Sequence, residues 1–163
     1  MAILLIKLTL IMNMEADKMY KNKDEYYTRI VNVVDELLDK KWEQIVIRIC
    51  KDDFHSSTGV YCKINNVFKF FGDYFDSGEI DFEQYTNINR TLSNIANEMQ
   101  KELQEQKKEV WTSFVFTLMD NGEYETEYSY EELGENEFKD TINWRYKRLG
   151  ILPNEKNMKY LDL

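Results

Sequence analysis

The chain holds one proline, six glycines, two cysteines and one histidine among its 163 residues. Each shortage narrows the possibilities. With no Pro- or Gly-rich stretch there is no flexible linker to separate modules, so the length reads as one domain with a real core. Cys50 and Cys62 lack CxxC spacing and neighbouring histidines, which argues against a zinc framework. No secretion signal is visible, so both are expected as free thiols in a reducing cytoplasm. A lone histidine, His55, leaves little for catalysis, and there is no Gly-rich phosphate loop, HExxH or GxSxG. Repeats and low-complexity runs are absent. Apolar residues at 43% and aromatics at 14% are too abundant for a disordered chain.

Basic residues are also short, with 21 Lys and Arg against 30 Asp and Glu and a net charge of −9. Phosphate neutralisation needs the opposite balance, so neither direct nucleic-acid binding nor docking to an anionic membrane is expected. The one long apolar run, Met1–Met12, is too short to span a bilayer. It has no basic n-region or small-residue cleavage site either. Two readings of residues 1–13 compete, an extra edge strand or helix turn and an N-terminal extension that is not part of the fold; the second is favoured, with 14–163 a single domain, because helical periodicity starts just after Met14.

What is present in excess is negative charge in one place. Asp120, Glu123, Glu125, Glu127, Glu131, Glu132, Glu135, Glu137 and Asp140 face a single base, Lys139, so residues 120–140 carry −8 of the total. Within that stretch Tyr124, Thr126, Tyr128 and Tyr130 alternate with Glu123, Glu125, Glu127 and Ser129. This is strand periodicity with one aromatic and one acidic face. A solvated face is the ordinary explanation of scattered charge. Charge this concentrated on a rigid surface costs stability through self-repulsion and points to a basic protein partner.

Periodicity along the chain predicts a helix over 17–38, with Tyr27, Ile30, Val31, Val34, Leu37 and Leu38 as its apolar stripe. Strands are expected at 42–50, 60–64 and 67–71, the last two joined by a tight turn at Asn65-Asn66. An acidic loop over 72–82 precedes a long helix over 83–109 that buries Ile88, Leu92, Ile95, Met99 and Leu103. Strands at 111–119 and 123–130 flank Asp120-Asn121-Gly122, for which Asn-Gly suggests a type I′ turn. The last helix covers 136–149, ended by left-handed Gly150 and kept from resuming by Pro153. The order αβββαββα implies an α+β fold, a mainly antiparallel sheet packed by helices on one face. Each tryptophan is assigned to the core.

Two segments imitate chemistry. Asp73–Gln84 (DYFDSGEIDFEQ) matches a calcium loop at Asp73, Ser77, Gly78, Ile80 and Asp81, but Phe75 and Gln84 stand where two oxygen ligands are required. A calcium-dependent binding module over 73–84 is the alternative function. A hydrolase built on His55 is a third, with no nucleophile near it except the poorly placed Ser56 and Ser57. No cofactor and no metal are expected.

The segments Trp111-Thr112-Ser113-Phe114, Asp120-Asn121-Gly122, Tyr128-Ser129-Tyr130, Trp144-Arg145-Tyr146-Lys147 and Leu149-Gly150-Ile151-Leu152-Pro153, with the Trp42 strand behind an amphipathic helix, resemble the YezG-like immunity (antitoxin) family. The resemblance spans about Met14 to Pro153. Val110 and the Asp39-Lys40-Lys41 run stand where prolines usually precede two of the tryptophans. The resemblance implies a cytoplasmic, non-enzymatic protein made beside a polymorphic, LXG-type toxin with a C-terminal nuclease that leaves by type VII secretion. Its partner would be that nuclease domain, a basic protein. No binding residues carry over from the family. Charge alone nominates Glu123, Glu125, Glu127, Glu131 and Glu132, with Asp73, Asp76, Glu79 and Asp81 as a second patch.

Overall fold

A computed structural model describes residues 19–35 and 41–162. The expected extension over 1–13, and the two ends of the first predicted helix, lie outside the described residues. The described elements are α1 (Lys23–Asp35), β1 (Gln44–Lys51), β2 (Ser56–Ile64), β3 (Val67–Phe70), a short α2 (Gly72–Asp76), α3 (Phe82–Glu105), β4 (Ser113–Met119), β5 (Tyr124–Ser129), α4 (Glu137–Leu149) and a terminal 3₁₀ turn (Glu155–Tyr160). The strands form one antiparallel sheet in the order β3-β2-β1-β4-β5. The α+β class and the antiparallel sheet are as expected.

The helices are not confined to one face. Ile45, Ile47 and Ile49 of β1 point to one side with Val60, Cys62, Phe114, Phe116 and Leu118, where α1 and α3 cover them. Val46, Tyr61 and Val115 point to the other, against Trp144, Leu149 and Ile151 from α4 and the segment after it. Alternation along a strand sends neighbours to opposite faces. A central strand apolar at nearly every position therefore needs cover on both, and the one-face arrangement is corrected accordingly.

The first layer is tied by more than burial. Asp81 caps α3: its carboxylate accepts from the Gln84 amide at 2.8 Å, while the Gln84 side chain accepts from the Asp81 amide at 3.1 Å. Arg29 of α1 donates two hydrogen bonds to Glu98 of α3, at 2.6 and 3.1 Å. Trp111, fully buried, donates its indole N–H to the Tyr20 hydroxyl at 2.8 Å. Tyr27 and Tyr128 share a hydroxyl contact of 2.7 Å beside it. Burial pushes all three phenols up, so they remain neutral and act as apolar bodies with polar tips.

Several boundaries differ for local reasons. α3 stops at Glu105, four residues short of expectation, because Lys107 turns left-handed (φ 54°) and the Lys108 amide closes on the Leu103 carbonyl. Asn65 and Asn66 both have positive φ (50° and 61°), so the two-residue β2–β3 connection has the type I′ signature. Only Gly122 is left-handed in the β4–β5 turn, a three-residue loop closed by the Gly122 amide on the Met119 carbonyl. That corrects the type I′ expectation there: it is a type I turn ending in a glycine bulge. Part of the expected acidic loop is helical in α2, and the 3₁₀ turn was not anticipated. The tail is held to α4 by Asn143, which donates to the Tyr160 carbonyl at 2.9 Å and accepts from the Asp162 amide at 2.8 Å.

Removing the central aromatic should be costly. Trp111→Ala is expected to lower unfolding stability by about 3–5 kcal/mol. Tyr20→Phe, which strands a buried indole N–H, is expected to lower it by about 1–3 kcal/mol. Urea denaturation followed by circular dichroism measures both, and a change under ~0.5 kcal/mol in each would contradict this account of the core.

Candidate functional site

On the α4 face the sheet is only half covered. α4 packs over Val46 and Tyr61, and the neighbouring stretch of sheet is left open, where β1 ends, β4 begins and β5 ends. The loop from Tyr130 to Asn136 and the first half of α4 wall it in. The result is a cleft of about 390 Å³. Val115 and the Trp144 ring contribute apolar floor, and Arg48 and His55 its bases. Glu127, Glu131, Glu132, Glu137 and Asp140 supply the carboxylates.

Register explains the placement. Glu125 pairs with Thr117, Glu127 with Val115, and Ser129 with Ser113, so the acidic side of β5 faces the α4 layer. Tyr124 and Tyr128 lie on the other side, packed against the first core. The two-faced reading of this strand therefore holds. The loop beyond it is pinned: the Thr112 hydroxyl donates to the carbonyls of Ser129 and Glu131, and the Glu131 amide donates to Ser129 Oγ at 3.3 Å. Gly134 passes close to Asp140: a Cβ there would lie 2.1 Å from its Oδ2, and the exposed carboxylate would have to swing aside.

The charge is only partly balanced. Arg148, in the last turn of α4, is bonded to Glu127. Arg48 lies 4.7 Å from the Trp144 ring centroid as a cation–π pair. Among the described residues, Glu131, Glu132, Glu137 and Asp140 make no ion pair. Four carboxylates thus surround one concavity, faced by Arg48 and His55 alone.

The nominated residues divide in two. Glu127, Glu131 and Glu132 line the cleft, with Glu125 exposed beside them on β5 and Glu123 exposed at the turn. Asp73 and Asp76 are exposed on α2, Glu79 accepts from Ser77 Oγ at 3.1 Å, and Asp81 is occupied as the α3 cap. That second group follows β3, the opposite outer strand. Four strand spacings separate β3 from β5, roughly 19 Å, so the two groups do not merge into one patch. The calcium-like segment folds as a helical turn, a left-handed Gly78 and the start of α3. Among the described residues, no three His, Cys, Asp or Glu side chains gather as a metal site.

Catalytic geometry is equally sparse. Asp52 Oδ1 accepts from the amides of Phe54 (2.8 Å) and His55 (2.7 Å) and lies 2.9 Å from His55 Nδ1. These bonds, the Phe54 amide first, hold the Asp52 carboxyl below its ordinary range. Cys50 also lines the cleft, and burial raises its pKa, which keeps it a neutral thiol. Cys62 is pushed up to about 12 by burial. Neither is activated, and both cysteines are free, as expected. No helix of the described residues is long and apolar enough to cross a membrane.

Sequence reasoning did not place Glu137 and Asp140 in the cleft. They were counted as charge, but their i,i+3 spacing on a helix already put them on one face. It also missed Phe54, a bulky aromatic standing alone in the polar run Lys51–Ser57 and 91% exposed in the structure.

Two measurements check these local statements. Asp52→Ala should speed hydrogen exchange at the Phe54 and His55 amides. In the native chain the same loosening should appear only as pH falls through the lowered Asp52 pKa, since a depressed carboxylate pKa means the stabilisation exists above it and disappears below. Both thiols should resist an aromatic disulfide reagent at pH 8 until the chain is unfolded; rapid native labelling would contradict their burial.

Comparison with known proteins gives a consistent result. The family model described as "Immunity protein YezG-like" matches residues 23–161. The chain is similar to Immunity protein YezG of Bacillus spizizenii, 24% identical over 140 residues, covering 83% of this chain and 87% of that protein. It is also similar to Immunity protein YezG of Bacillus subtilis strain 168, 30% identical over 78 residues, covering 46% of this chain and 52% of the other.

Proposed function

The chain belongs to the YezG-like immunity protein family, and from that premise we propose that it binds a cognate nuclease toxin in the cytoplasm of the producing cell and covers that toxin's basic active surface. It acts by binding and breaks no bond itself. The toxin is the exported product of a neighbouring gene, of the type VII-secreted polymorphic class, and the immunity protein protects its maker until export. The observation that supports this most is the cleft between β5 and α4, where four carboxylates without ion pairs surround one concavity.

The physical case is charge complementarity. A nuclease must hold a polyanion, so its own cleft is basic. A rigid acidic surface steers such a partner, raising association to ~10⁸–10⁹ M⁻¹s⁻¹ at low salt against ~10⁵–10⁶ without steering. Speed counts when the target is an enzyme that damages the producer's own nucleic acid. The binding surface is Glu123, Glu125, Glu127, Glu131 and Glu132 with Glu137 and Asp140 behind them. The patch of Asp73, Asp76, Glu79 and Asp81 lies at the far edge and is secondary, with two of its four carboxylates already engaged within the fold.

Charge reversal tests this. Glu131→Lys with Glu132→Lys should weaken binding of the toxin domain by about 10–100-fold, mostly through a slower on-rate at low salt, while the melting temperature stays within ~2 °C. Glu125→Lys should act in the same direction. Glu127→Lys should also loosen α4, because it loses Arg148. Titration calorimetry and stopped-flow association measure these effects; unchanged affinity and on-rate in the double variant would sink the masking surface.

A further inference from the structure

The Phe54 loop and the acidic cleft share one end of the sheet, since His55 lines the cleft and Phe54 precedes it in the chain. Phe54 is 91% exposed, the most exposed large apolar side chain among the described residues. Its backbone is held in place. The turn carrying it is closed by the Asp52 carboxylate on the Phe54 and His55 amides and by the Asp52 amide on the His55 carbonyl at 3.0 Å. The turn that carries this aromatic has given up backbone freedom before any partner arrives, and a Phe side chain has only two torsions left to fix. Those are the properties of an interface anchor.

The cleft beside it complements this anchor. Its lip and wall carry Glu131, Glu132, Glu137 and Asp140, and its floor is partly apolar. Its bases are few: Arg48 is already stacked on Trp144, and His55 leans on Asp52. A long side chain with an apolar stem and a cationic head fits both features.

Building on the toxin-binding reading above, we propose that Phe54 and this cleft form a two-point docking surface. Phe54 inserts into an apolar depression of the basic toxin domain, and the cleft receives a lysine or arginine side chain from it. Charge steers the encounter, and the anchor slows release.

The far edge provides an internal control. Phe82, 68% exposed, stands next to the Asp73–Asp81 patch as Phe54 stands next to the cleft. The experiment measures association and dissociation rates of the toxin domain encoded beside this chain's gene, against wild type, Phe54→Ala, Asp140→Asn and Phe82→Ala. Phe54→Ala is expected to weaken binding by about 30-fold or more, through faster dissociation with little change in on-rate. Asp140→Asn is expected to weaken it by about 10-fold, and Phe82→Ala by less than ~2-fold. Phe54 touches little of its own protein, so its melting temperature should match wild type, and Phe54→Trp should retain binding. If wild type binds tightly and Phe54→Ala binds equally well, or Phe82→Ala is the damaging variant, the docking surface is wrong while the masking function stands. If wild type does not bind the toxin domain, the functional reading falls and this inference with it.

Discussion

Strand β1 has apolar side chains on both sides. Ile45, Val46, Ile47 and Ile49 are all buried, and they point alternately to opposite faces of the sheet. Neither face can be left to water, since each buried aliphatic side chain contributes about 1.5–3 kcal/mol relative to exposure. The chain meets this demand unequally. Two helices and a cluster of tyrosines close the first face. The second receives only one thirteen-residue helix and the residues after it. A helix that short covers part of a five-stranded sheet, and the part left open is the cleft.

This asymmetry puts the tightly packed core and the acidic cleft on different sides. The closed face holds the buried Trp111, the tyrosine hydroxyls around it and the Arg29–Glu98 clasp between helices. The open face gathers the carboxylates. Like charges that share a concavity repel, and among the described residues only Glu127 of the cleft carboxylates has an ion-pair partner, Arg148. In the function proposed above, a basic toxin domain meets this charge.

Much of the architecture could be read from residue order. The stripe through Ile88, Leu92, Ile95, Met99 and Leu103 specified α3, and the alternation of tyrosine with glutamate specified β5 and its two faces. Gly150 marked the end of α4, where its φ of 68° is what a left-handed cap requires. What could not be read were contacts between distant segments. Asn-Gly favours a type I′ turn in isolation, but at Asn121-Gly122 the hairpin takes a three-residue loop. The Asn65-Asn66 pair adopts the I′ form instead. Nothing in the spacing of α4 says which face of the sheet it covers.

The order of residues by itself determined the class of fold, the excess and location of negative charge, the absence of familiar catalytic patterns and the kinship with immunity proteins. These are properties of composition and short-range period, which survive without coordinates. Tertiary structure decided which charges share a space. It set Glu137 and Asp140 opposite Glu131 and Glu132, placed the Asp73–Asp81 group at the far edge, and put Phe54 beside the cleft. Burial, pairing and proximity across a sheet arise only when segments far apart in the chain pack together, so no local pattern encodes them.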